Sequence, residues 1–154
     1  KYHTDDFEQA FSYFEHSLQL RKETLSDDNV LIAWAYFNSA SVLTKMKETE
    51  KAIHYYEEAI RRFLRINEIG ICVPAYICIA EAYLDLNDCT KATNALEQAF
   101  TYEYEYYGEE NCRKYWLYDI KSKILEKQGK NDEAAEYRRW SEEEYKKYIQ
   151  SRET

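Results

Sequence analysis

EKAIHYYEEAI, residues 50–60, recurs along the chain in altered form. EQAFSYFEHSL (8–18), TKATNALEQAF (90–100) and DEAAEYRRWSE (132–142) repeat its pattern. Each copy has a small residue after a polar start: Ala10, Ala52, Ala92 and Ala134. Four positions on stands a larger residue, Phe14, Tyr56, Leu96 or Arg138, and three beyond that a second small one, Ser17, Ala59, Ala99 or Ser141. The alanines lie 42, 40 and 42 residues apart. Self-similarity at such a period is the mark of stacked repeats.

Three of these segments follow a second pattern. Residues 29–46 (NVLIAWAYFNSASVLTKM) are apolar nearly all round, as a helix buried between neighbours should be. Residues 71–86 repeat that character, with Pro74 tolerable in a first turn. Residues 109–128 are the most polar copy. Short polar breaks at 26–29, 47–50, 67–70, 86–88 and 129–132 separate the helices. Asp and Asn in these breaks suit N-caps, and Gly70, Gly108 and Gly129 suit helix ends. Three glycines and one proline in 154 residues leave little punctuation for strands and tight turns. The reading is all-α, with about seven helices: an opening helix over 1–25 and hairpins over 29–67, 71–107 and 109–150. One hairpin cannot bury both its apolar faces, so neighbours stack. Alanine where two helices approach most closely lets them meet, and the large residue fills the space beside it.

This arrangement resembles the tetratricopeptide repeat. Its first-helix small residue appears as Ala40, Ala80 and Ser122, each twelve before a second-helix alanine. Large residues follow at Leu43, Tyr83 and Leu125, and aromatics precede at Tyr36, Tyr76 and Tyr118. The chain departs from the pattern at Ser39, Ile79 and Lys121, where glycine is common, and in its longer period. The lengthened repeats are similar to those of Rap-type peptide sensors and kinesin light chains, and residues 52–92 look more like the former. The resemblance implies a right-handed superhelical solenoid of antiparallel helix hairpins. It implies a noncatalytic adaptor or regulatory sensor that binds a protein or peptide; a cytoplasmic location is expected separately, from cysteines that read as reduced thiols. The alternative is a regulatory or structural segment of a larger signalling protein or enzyme whose activity lies upstream. A chain starting at Lys1 fits a C-terminal piece of a larger protein, 1–25 being the second helix of a truncated repeat.

Catalytic and metal-binding patterns are missing from the sequence. A formal charge of −8 disfavours nucleic acid and anionic membrane surfaces as partners. Cys72, Cys78, Cys89 and Cys112 form no CxxC pair, and they read as reduced thiols without a zinc site. His54, one turn before Glu57 and Glu58, aligns with Ser12, Asn94 and Glu136, so it reads as part of a solvated face. No phosphate loop, HExxH or GxSxG occurs, and no cofactor is expected. The run YEYEYYGEE (102–110) reads as a helix end with packed tyrosines and glutamates in water.

Repeat register gives the expected binding surface, the concave side lined by first helices. The first hairpin contributes Trp34, Phe37, Asn38, Ser41 and Lys45. The second contributes Ile77, Cys78, Glu81 and Asp85; the third Trp116, Asp119, Ile120, Lys123 and Lys127. An asparagine amide donates and accepts at once, so Asn38 suits a peptide backbone. The mix of aromatic and charged residues suits an amphipathic segment. A chaperone-type carboxylate clamp is disfavoured, because Pro74 and Cys78 supply no charge. Phe7, Ala10, Phe11, Phe14 and Leu18 form an apolar side of the opening helix, which a preceding helix or a second copy in a homodimer would cover. The last helix, with Ala134, Tyr137, Trp140 and Tyr145 opposite a charged face, reads as a terminal cap.

Overall fold

A computed structural model describes residues 2–108 and 114–153. Among these, the chain forms α1 (Tyr2–Thr24), α2 (Val30–Lys45), α3 (Thr49–Arg65), α4 (Cys72–Asp85), α5 (Cys89–Tyr107), α6 (Lys114–Lys127) and α7 (Asn131–Glu153). A 3₁₀ turn, Ile69–Ile71, leads into α4. The helices pack as successive antiparallel pairs, α2 with α3, α4 with α5 and α6 with α7, and α1 lies on α2. Pairs join through α3 on α4 and α5 on α6, and the first helices α4 and α6 also touch. None of the described helices is long and apolar enough to cross a membrane. The expected start of the third hairpin at 109–113, with Cys112, lies outside the described residues.

Side-chain caps mark the starts of α2 and α5. Asn29 accepts a hydrogen bond from the Leu31 N–H at 2.9 Å, and Asp88 accepts one from the Lys91 N–H at 3.0 Å. Each bond satisfies one of the donors that a helix start leaves without an intrahelical partner.

Helix ends follow one design four times. Lys47, Asn67, Asn87 and Gly129 take φ of 64°, 61°, 58° and 78°. After each, the next N–H reaches back to the carbonyl five residues earlier: Glu48 to Leu43, Glu68 to Phe63, Asp88 to Tyr83 and Lys130 to Leu125. This left-handed closure usually uses glycine. Gly129 follows the rule, and Gly108 ends α5 at φ 73°. Gly70 does not end a helix as its position suggested. It lies in the 3₁₀ turn, where a β-carbon would sit 2.9 Å from the Tyr106 ring. Its bareness lets α5 close over the turn.

The small residues lie where the repeat spacing places them. Ala40, Ala80, Ser122, Ala52, Ala92 and Ala134 are all buried. Tyr56, Leu96, Leu43 and Leu125 fill the spaces beside them and are buried too. Each such aliphatic side chain contributes about 1.5–3 kcal/mol on burial. The fourth copy breaks the pattern: Arg138 stays at the surface and pairs with Glu126 of α6. Ser141 there donates to the Tyr115 carbonyl at 2.6 Å, holding α7 on α6. Phe7, Ala10, Phe11 and Phe14 on α1 are only partly covered, and Leu18 is buried.

An ionic clamp ties the α1–α2 connection to α3. Arg62, buried on α3, donates to both the carboxylate and the backbone carbonyl of Asp27 at 2.7 Å. Arg65 adds bonds to Asp27 at 3.0 Å and to Asp28 at 2.6 Å. The Arg62 guanidinium also lies 5.1 Å from the Tyr36 ring centroid. Its hydrogen bonds hold the Asp27 carboxyl below the usual carboxylate range, with Arg65 assisting. The acidic break 26–29 thus has a partner as well as a capping role.

The tyrosine-rich run at the end of α5 corrects one expectation. Tyr102 stacks on Tyr76 at 5.7 Å and 9° between planes. Glu103 is buried rather than in water, whereas Tyr104, Glu105 and Tyr106 are exposed. Helical geometry explains this: Glu103 falls four residues after Ala99, on the inward stripe. Glu109 and Glu110 lie outside the described residues.

Candidate binding surface

The residues expected to form one groove separate into three settings. On α2, Trp34 and Asn38 are exposed and Phe37 is half-buried. Trp34 meets Phe37 and Phe63 edge-on, at 5.8 and 5.3 Å between ring centroids. Phe37 meets Tyr56 in the same way at 5.4 Å. This patch is therefore anchored to α3 by aromatic packing, with one tryptophan face left open. The Asn38 amide makes no hydrogen bond among the described residues. Ser41 is half-buried beside the Tyr56 hydroxyl, which Thr44 and Cys78 also approach; burial raises that phenol well above its ordinary range. Lys45 turns away from the other groove residues. Its ammonium lies 5.7 Å from the Phe7 ring of α1.

The second setting is a small apolar pocket where α4 meets α6. It encloses about 60 Å³ and is lined by Gly70, Val73, Pro74, Ile77, Tyr107 and Trp116, with buried Glu103 at its wall. Ile77 is 2% exposed, so it is a core residue rather than an open groove position. Its periodicity allows either role, and the contact of α4 with α6 decides for the core. Ile120 is buried for the same reason. Trp116 remains 39% exposed at the pocket mouth, a large apolar group the fold leaves in water.

The third setting is a charged groove of about 440 Å³ at the other end of the same helices. Thr44, Glu81, Asp85, Lys123, Glu126 and Lys127 line it. Glu81, Asp85, Lys123 and Lys127 were expected from register; Thr44 and Glu126 were not, because they lie one helical step off the expected face. Lys123 is held by Asp119 on its own helix at 2.6 Å. Lys127 donates to Asn87 at 2.7 Å. Glu81 and Asp85, one turn apart on α4, make no ion pair among the described residues. Burial raises the Glu81 carboxyl, Lys123 pulls it back, and Asp119 and Asp85 push it further up.

Other sequence candidates fall outside these settings. His54 is exposed, its ring 6.2 Å from that of Tyr55. No cluster of three metal-ligating side chains occurs among the described residues. Cys72 is buried, and that burial pushes its thiol up to about 11. A thiol so protonated is a poor nucleophile.

Residues 1–65 match the family described as tetratricopeptide repeat. The fold is similar to that of BtubC (BKLC) from P. vanneervenii, with a TM-score of 0.81 at 15% sequence identity. The alignment covers 94% of this chain and 59% of that protein, so the chain spans under two thirds of its length. No curated protein matches the chain in sequence.

Proposed function

We propose that this chain, which belongs to the tetratricopeptide repeat family, is a noncatalytic module that binds a protein or peptide and acts as an adaptor or regulatory sensor. Repeats of this kind generally bind proteins. The observation that carries the reading is the side of the molecule formed by α2, α4 and α6. It leaves Trp34 and Trp116 partly exposed, Asn38 with its amide open, and Glu81 and Asp85 without ion pairs. Single exposed aromatics are common on protein surfaces, and what favours binding here is that Trp34 and Trp116 hold equivalent places on the first helices α2 and α6, so one segment can meet both. A segment lying across these helices covers the tryptophan faces, and its main chain meets the Asn38 amide.

Selection from a random peptide display library tests this reading. Peptides retained by the wild-type chain are expected to lose at least tenfold in affinity for the Trp34→Ala/Asn38→Ala variant, with helix content by circular dichroism unchanged. Retained peptides that bind the variant equally well would place the binding surface elsewhere. A chain that selects no peptide would favour a structural spacer.

A further inference from the structure

The two cavities between α4 and α6 lie along a single seam, and their contents differ. Pro74 and Trp116 occupy equivalent places in their helices, each six residues before the buried small residue, Ala80 or Ser122. Glu81 and Lys123 each follow that small residue directly. At 1.5 Å per residue, the four residues from Ile77 to Glu81 and the seven from Pro74 to Glu81 place the cavities about 6–10 Å apart. One end of the seam is small and mostly apolar; the other is larger and charged.

Charge in the larger end is unbalanced. The two lysines of α6 are engaged, Lys123 with Asp119 and Lys127 with Asn87. Glu126 is taken by Arg138. Glu81 and Asp85 remain without an ion pair among the described residues; Lys127, whose partner Asn87 is neutral, keeps its charge on the same groove, so one negative charge is left in excess. The apolar end holds about 60 Å³. One water needs roughly 10–15 Å³ by this measure, so the space takes about four to six water-sized units, room for one small aliphatic group.

Resting on the binding reading above, we infer that the occupant of this seam is a basic amphipathic segment of a partner protein. It places one aliphatic side chain in the Pro74–Ile77–Trp116 pocket and a lysine or arginine over Glu81 and Asp85. The distance between cavities corresponds to one or two turns if the segment is helical, or two or three residues if it is extended. Lysine in a charge-lined groove exchanges water for two carboxylates, and the chain's charge of −8 draws a basic partner in from solution.

A defined probe tests this directly: a synthetic amphipathic peptide of roughly 18 residues with a leucine stripe and lysines along one flank, titrated by calorimetry at low salt. A matched peptide carries glutamate at the lysine positions. The lysine peptide is expected to bind the wild-type chain at least tenfold more tightly than the glutamate peptide. The Glu81→Lys/Asp85→Lys variant is expected to reverse that preference, a swap that damage to the fold would not produce. Trp116→Ala is expected to weaken the lysine peptide without changing which charge is preferred. Equal binding of both peptides, or a preference that survives the double reversal, would overturn the inference. If Trp34→Ala/Asn38→Ala still weakens binding in that case, the groove reading stands and only the partner's charge is wrong. If no substitution weakens either peptide, or neither peptide binds, the seam is not the binding site.

Discussion

The helices α3 and α7 hold corresponding places in the first and last hairpins, yet the molecule treats them differently. Of the 17 residues of α3, Ala52, Ile53, Tyr56, Ala59, Ile60, Arg62 and Phe63 are buried. In α7, with 23 residues, Ala134 is buried and the rest of the described side chains are exposed or half-covered. α3 is packed against α2 on one side and α4 on the other, whereas α7 is packed on α6. One repeat sequence therefore gives a core helix or a covering helix, depending on how many neighbours it has. α7 holds on through rings, with Trp140 4.9 Å from Tyr137 and 6.0 Å from Tyr118, and through the Ser141 bond to the Tyr115 carbonyl.

The contrast is testable by truncating one large aromatic in each helix. Phe63 is fully buried, so Phe63→Ala is expected to cost about 3–5 kcal/mol in urea unfolding. Trp140 is 38% exposed, and Trp140→Ala is expected to cost about 1–2 kcal/mol, mainly from its two ring contacts. Equal losses would mean that α7 is as deeply anchored as α3.

A smaller effect separates the two helices by charge. Arg62 is enclosed and bonded to Asp27, so Arg62→Met is expected to lose about 2 kcal/mol. The exposed pair of Arg139 and Glu143 on α7, at 3.9 Å, is expected to contribute little, since open surface pairs do. The Asp27 interaction also carries a pH signature. Its folded carboxyl lies below the ordinary value of 3.8, so its contribution is complete above that value and is lost as pH falls through the lower, folded one. The stability gap between wild type and Asp27→Asn should therefore narrow between pH 5 and pH 2 in denaturant titrations. A gap that widens on acidification would reverse the assignment.

The smallest effect lies in the helix ends. Lys47 adopts the left-handed conformation that Gly129 adopts in the last hairpin. Lys47→Gly is expected to stabilise by about 0.5–1 kcal/mol, and Gly129→Ala to destabilise by about 1 kcal/mol. Paired thermal melts check both signs.

What the sequence revealed, and what it hid, follows the same division. The alanine ladder was readable because close helix contact admits one kind of residue, and each alanine repeats at a fixed interval. The partnership of Arg62 with Asp27 was not, because it joins residues 35 apart and neither belongs to the repeat pattern. Gly70 looked like a helix end, since nothing in its neighbourhood announces the Tyr106 ring that covers it. Register put Glu81, Asp85 and Lys123 on one face, and the three line one groove. It could not separate Ile77, facing the core, from Trp116 at the pocket mouth, because both recur at helical spacing. Lys45 was placed in the groove by spacing alone, while its flexible stem carries the charge to Phe7.

The most direct measurement follows from the chain's three tryptophans, Trp34, Trp116 and Trp140. Their indole N–H groups give three separate NMR resonances, one on α2, one at the α4–α6 seam and one on α7. Titration with the lysine-flanked amphipathic peptide is expected to shift the Trp116 signal most, to move Trp34 as the segment extends over α2, and to leave Trp140 unchanged. A titration that shifts Trp140 while Trp116 stays fixed would contradict the account and place binding on α7.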